Sequence, residues 1–115
     1  MEDLQLIQTS NDCIVISANL KNVITSRRFA GNSFLRTAII DSSIKKIETS
    51  AFEDSKNLSK IIIKDDIHIE DKAFRACNKL KTAQLDDSIK VISDNMFADC
   101  HALENINLPK NLVSI

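Results

Sequence analysis

One glycine and one proline in 115 residues leave this chain almost without the usual turn formers. Its turns must fall to Asn, Asp and Ser, which tolerate left-handed backbone or close turns through their side chains. A glycine-rich phosphate loop is excluded, because Gly31 stands alone. Three cysteines are an odd number, which argues against a disulfide framework. No apolar run approaches the roughly 20 residues of a membrane span, so no membrane insertion is expected. The start, Met1-Glu2-Asp3-Leu4, is acidic and shows neither a basic n-region nor an apolar h-region, so no signal peptide is visible. A formal charge of −1 gives no global preference for nucleic acid, and no nucleic-acid partner is expected.

Chemistry-bearing clusters are equally scarce. His68 lies among Asp65, Asp66 and Glu70, and His101 follows Cys100, but neither arrangement has a metal-ligand spacing. Cys100 and His101 make no catalytic pair, since neighbours on a turn point apart. Arg27-Arg28 and Lys45-Lys46 read as solvated clusters, and the sequon Asn57-Leu58-Ser59 places its middle residue in a core position. No cofactor, metal or catalytic residue is assigned, and the chain reads as a non-enzyme.

What the chain does have is a repeat. Phe29, Phe52, Phe74 and Phe97 are separated by 23, 22 and 23 residues. Leu35, Leu58, Leu80 and Leu103 follow them in phase, and Ile24, Ile47, Ile69 and Ile92 precede them. Leu20, Ile44, Ile67 and Ile89 form a further apolar column with one residue of drift. After each leucine comes an alternating pair: Ala38/Ile40, Ile61/Ile63, Ala83/Leu85 and Ile106/Leu108. Alternation over so few residues is the signature of a short strand. A fixed period of this length with one strand per unit marks a leucine-rich-repeat solenoid.

The unit I-x-x-x-A-F-x-x-C-x-x-L-x-x-I-x-L-P resembles the BspA-type leucine-rich repeat. The match is fullest at residues 69–85, with Ala73-Phe74 and Cys77, and at residues 92–109, with Phe97, Cys100 and Pro109. Ser55 and Asn32 take the cysteine place in the earlier copies, and Glu48, Glu70 and Ser93 stand where the family usually has glycine. The resemblance implies an α/β repeat solenoid: a right-handed coil with one short parallel strand per repeat of about 23 residues and short helical or 3-10 turns on the convex side.

One domain, 1–115, is expected, with residues 1–12 as a partial N-terminal cap and coils at about 14–35, 36–58, 59–80, 81–103 and an incomplete 104–115. Leu4, Leu6 and Ile7 would cover the first coil. Cys13–Ser17 would be the first strand, with Ile14 and Ile16 facing inward. Thr49, Asp71 and Asp94 would cap the convex helical turns. Asp41-Ser42, Asp65-Asp66, Asp86-Asp87 and Lys110-Asn111 would turn the chain after each strand. Cys77 and Cys100, in one column on coils roughly 5 Å apart, would act as small buried hydrophobes, with a bridge between them, allowed on distance alone, as the alternative. Phe52, Phe74 and Phe97 would stack in one buried column.

The strand residues between the inward ones form a surface expected to be concave. Its middle column is Val15, Ile39, Ile62, Gln84 and Asn107, flanked by Thr37, Lys60, Thr82 and Asn105 on one side and by Ser17, Asp41, Lys64, Asp86 and Pro109 on the other. Val15, Thr37, Ile39, Lys60, Ile62, Lys64, Gln84 and Asn107 are the candidate residues for binding a protein ligand. The resemblance implies an adhesion role at a cell surface or after secretion. An intracellular scaffold on the same fold is the alternative, favoured by the free cysteines. Leu103, Ile106, Leu108, Leu112 and Ile115 belong to a last coil with nothing to cover it, which points to a homodimer or to a longer array.

Overall fold

The computed structural model describes residues 3–10, 12–93, 95–107 and 109–110. Strand β1 spans Leu4–Gln8, β2 Cys13–Ala18, β3 Val23–Ile24, β4 Thr37–Ile40 and β5 Lys46–Ile47. Strand β6 spans Lys60–Ile63, β7 His68–Ile69, β8 Thr82–Leu85 and β9 Asn105–Ile106. They make a six-stranded sheet, β1-β2-β4-β6-β8-β9, and a three-stranded sheet, β3-β5-β7. All pairings are parallel except β1 with β2, which is antiparallel. The chain is a parallel β-solenoid of about four turns, with a long axis of 37 Å.

The expected one strand per coil becomes two. The isoleucines before each Phe, Ile24, Ile47 and Ile69, are buried in β3, β5 and β7, and their backbones ladder with one another. In the long sheet, burial alternates along β4 and β6: Ala38, Ile40, Ile61 and Ile63 point inward, while Thr37, Ile39, Lys60 and Ile62 point out. Ile16 is buried as expected, and Ile14 is half-buried.

Among the described residues there is no helix of either kind, so the expected α/β class gives way to an all-β coil. The reason lies in the segments around each Phe. Left-handed residues stand two places before and two places after it: Arg27 and Gly31, Ser50 and Asp54, Lys72 and Ala76, Asn95 and Asp99. This alternation flips every second peptide. The amides of Arg28, Ala30 and Asn32 bond three residues back, while those of Phe29 and Gly31 donate to Ala51 and Glu53 of the next coil. The amides of Phe52 and Asp54 donate likewise to Ala73 and Arg75, and those of Phe74 and Ala76 to Met96 and Ala98. A helix spends its N–H groups inside its own segment, and here half of them join coil to coil. Thr49 and Asp71 are therefore not helix caps, and Asp94 lies outside the described residues. Neighbouring coils meet along three hydrogen-bonded seams: two sheets and this turn ladder.

The core between the seams holds the in-phase columns. Phe29, Phe52, Phe74 and Phe97 stack with centroids 5.2, 5.0 and 5.7 Å apart. The first three are buried and Phe97 is half-buried. Ile44, Ile67 and Ile89 are buried too, but Leu20, placed in the same column, is 59% exposed. Its backbone instead bonds the Asp3 carbonyl as the chain passes beneath β1.

The N-terminal segment departs from the expected apolar cap. Leu4 is buried, but Leu6 and Ile7 are 40% and 44% exposed. Ile7 lies on the face opposite Leu4, and Leu6, on the same face as Leu4, is still left open, so β1 covers the first coil through its ladder with β2 more than through its side chains. The turn residues act as expected where they are described. The Asp41 carboxylate accepts bonds from the Ser43 N–H and hydroxyl and from the Ser17 hydroxyl one coil back. Asp86 holds Ser88 in the same way, while Asn111 lies outside the described residues.

Candidate functional site: the outer face of the long sheet

Strand alternation leaves one side of the long sheet outside the core, and parallel register aligns its residues into rows. Val15, Ile39, Ile62 and Gln84 are direct partners on β2, β4, β6 and β8. Cys13, Thr37, Lys60, Thr82 and Asn105 form the row beside them. Strand β1 lengthens the middle row, because Ile7 pairs with Val15. The result is Ile7, Val15, Ile39 and Ile62, four apolar side chains on four adjacent strands. With strands about 4.8 Å apart, the row is roughly 14 Å long. Ile7 was missed as a face residue in the sequence because β1 falls outside the repeat register.

The apolar part of the row is less open than expected. Val15, Ile39 and Ile62 are half-buried, each shielded by its neighbours on both sides, and only Ile7 at the edge is exposed. Beyond Ile62 the row turns polar and the surface dips. One depression of about 570 Å³ brings together Ile62, Lys64, Gln84 and Asn107. An adjoining one of about 390 Å³ is lined by Lys60, Thr82, Gln84 and Asn107. Both are open and shallow. Val15, Thr37 and Ile39 line neither.

Asn107 has a task besides any ligand. Its side-chain oxygen accepts the Leu85 N–H at 2.8 Å and its amide donates to the Leu85 carbonyl at 2.6 Å. It replaces backbone pairing where β9 ends, so its amide is not free for a partner. The sequon is similarly occupied: Asn57 donates to the Ser33 carbonyl at 2.8 Å and accepts from Lys79, and the Ser59 hydroxyl donates to the Arg36 carbonyl.

Several side chains that looked like family departures bind coil to coil. The Glu48 carboxylate accepts the Ser26 N–H at 3.0 Å, and Glu70 accepts the Thr49 N–H at 3.2 Å. Burial disfavours the Glu70 charge, but the Thr49 amide and Lys46 outweigh it and hold the carboxyl below its usual range. Ser55, Cys77 and Cys100 each donate to the Phe carbonyl one coil back: Phe29, Phe52 and Phe74. Cys77 is fully buried, whereas Cys100 is half-buried, more open than expected. A hydrogen bond with Cys100, and burial, push the Cys77 thiol well up, and the same bond draws Cys100 down. All three cysteines are free.

His68 is exposed and 4.0 Å from Glu70, and no group of three metal-capable side chains occurs among the described residues. No helix among them is long and apolar enough to cross a membrane. Leu103 and Ile106 of the last coil are half-buried, while Leu108, Leu112 and Ile115 lie outside the described residues.

The fold is shared with a leucine-rich-repeat protein of T. pallidum at a TM-score of 0.62 and 19% identity, covering 97% of this chain and 78% of the other. A leucine-rich cell surface protein of Faecalibacterium prausnitzii A2-165 matches at 0.50 and 18%, over 96% of this chain and 42% of the other. At such identities the likeness speaks for the fold alone. No curated protein matches the sequence significantly. The family model for the BspA-type leucine-rich repeat region, in six copies, matches residues 7–115. With a family pattern running through nearly the whole sequence and a stacked-coil fold to go with it, this chain belongs to the BspA-type leucine-rich repeat family.

Proposed function

We propose that the chain is a non-catalytic protein-binding module, acting at a cell surface or in secreted form, whose outer sheet face receives the partner. One observation carries this reading: Ile7, Val15, Ile39 and Ile62 form an apolar row on a surface the core does not use. Regular strand faces of stacked repeats suit another protein better than an enclosed substrate. Thr37 and Lys60 border the row on one side and Lys64 on the other, with Gln84 continuing it, so polar groups surround the apolar strip. The surface location is supported by the cell surface description of the Faecalibacterium protein. The free thiols favour the second reading, an intracellular scaffold using the same face. A homodimer through the last coil would cover Leu103 and Ile106.

A photo-crosslinker in place of Ile39, compared with one in place of Asp99 on the turn side, tests the face. Adducts formed from position 39 and lost in the Ile62→Asp variant are expected, with the circular dichroism spectrum unchanged. Equal adducts from both positions would place the contact elsewhere.

A further inference from the structure

The strand-exit side of the long sheet carries mostly acids, several of them engaged internally, whereas the strand-entry side carries mostly cations. Where the strands end, the acids are engaged: Asp41 by Ser17 and Ser43, Asp86 by Ser88, and Asp65 by Lys45 at 3.6 Å. Where the strands begin, the charges are positive. Arg36, Lys60 and Lys81 stand at the strand entries of three successive coils, and Lys56 and Lys79 lie on the segments leading into β6 and β8. The backbone holds them in place, with Lys60 N–H donating to the Arg36 carbonyl at 3.2 Å and Lys81 N–H to the Ser59 carbonyl at 2.9 Å. Among the described residues none of the five pairs with a carboxylate; Lys79 reaches only the Asn57 amide oxygen, at 3.3 Å. Phe34 stands beside them, 53% exposed, its ring edge-on to the buried Phe29 at 6.3 Å.

A chain of net charge −1 therefore carries on one side five cations without a carboxylate partner among the described residues, and an exposed aromatic ring. Two strand steps of about 4.8 Å make the patch roughly 10 Å long along the solenoid. Acids close both ends: the Asp12 backbone bonds Thr37 before it, and the Glu104 backbone bonds Lys81 after it. A nucleic-acid track needs a longer run of cations and several aromatic platforms, and about 10 Å spans only some three phosphates. An extended peptide fits better, because its alternate side chains fall about 7 Å apart on one side. We infer that this strand-entry edge docks an extended acidic segment of the protein partner, its carboxylates against the cations and an apolar side chain against Phe34. The edge joins the outer face through Lys60, so the inference rests on that face being the binding surface.

The test uses the full chain and a fluorescein-labelled peptide of alternating Glu and Val, read by anisotropy. Its Lys-Val counterpart and an oligothymidylate of equal length serve as the other probes. The Glu-Val peptide should bind, with affinity falling about tenfold or more as salt rises to about 0.3 M, because the contacts are exposed. Lys60→Glu with Lys81→Glu should weaken it at least about tenfold, and the milder Lys60→Gln with Lys81→Gln severalfold, both with unaltered circular dichroism. Phe34→Ser should weaken it less. Indifference to both lysine pairs, no binding of the acidic peptide, or tighter binding of the oligonucleotide would overturn the inference. Ile39→Asp separates the two readings. Loss of binding there but not in the lysine variants leaves the face standing without the edge; the converse leaves the edge without the face.

Discussion

The rings of Phe52 and Phe74 lie 5.0 Å apart and 19° from parallel, one coil stacked on the next. Each is fully buried, and Phe29 and Phe97 continue the stack on either side. Truncating Phe74 removes contacts to two neighbouring coils at once and leaves a cavity where coils cannot readily collapse. Phe74→Ala should cost about 3–5 kcal/mol, which is comparable to the stability of a small domain. A chemical-denaturation midpoint that does not move would contradict the stack.

Ser55 should prove replaceable by cysteine but not by alanine. Its hydroxyl is buried between the carbonyls of Phe52, at 2.7 Å, and Phe29, at 3.2 Å. It also accepts the Asn32 amide at 2.8 Å. Ser55→Ala removes these bonds, while the Phe52 and Phe29 carbonyls still accept the residue 55 and Asn32 backbone amides and the Asn32 side chain still donates to Phe29, so the cost should be about 0.5–1.5 kcal/mol. Ser55→Cys restores the donor that Cys77 and Cys100 supply in later coils and should cost less. Equal losses in thermal melts would show that the hydroxyl is not what matters.

At Ala76 the backbone sits at a φ of 60°. A side chain in that conformation costs about 1–2 kcal/mol, partly offset in glycine by the greater freedom of its unfolded chain, about 0.4–1 kcal/mol. Ala76→Gly should therefore raise stability by up to about 1 kcal/mol. Ala76→Val, with a branched Cβ, should lower it. If the glycine variant melts below the parent, the turn ladder is not held as described.

Asp41 predicts an acid-dependent term. Burial alone would raise its pKa, but the hydroxyls of Ser17 and Ser43 and the Ser43 amide outweigh it and set the carboxyl below 3.8 in the folded chain. The unfolded state then binds the proton more readily, so the stabilisation is full above that value and fades as pH falls through the lowered one. Asp41→Asn should be less stable than the parent near neutrality, and the gap should narrow below pH 3.8. A gap that stays constant into acid would exclude the effect.

The repeat by itself determined the register. Phe, Leu and Ile recurring in phase can be buried together only by stacking one coil on the next, and burial of Phe52, Leu58, Ile61 and Ile63 follows from that. Alternation along Thr37–Ile40 and Lys60–Ile63 likewise set which residues face out. The turns around each Phe were decided otherwise. Thr49-Ser50-Ala51-Phe52 suits a helical turn locally, and only the carbonyls of the next coil, taking the Phe52 and Asp54 amides, draw it into the alternating form. The same holds for Glu48 and Glu70, whose partners stand a full coil earlier in sequence. Ile7 joined the outer row because β1 pairs backwards onto β2, a contact no period encodes. Hydrogen-bond partners about 22 residues apart become neighbours only once the coils are stacked, so tertiary structure decided how the seams close and which cations line the strand entries.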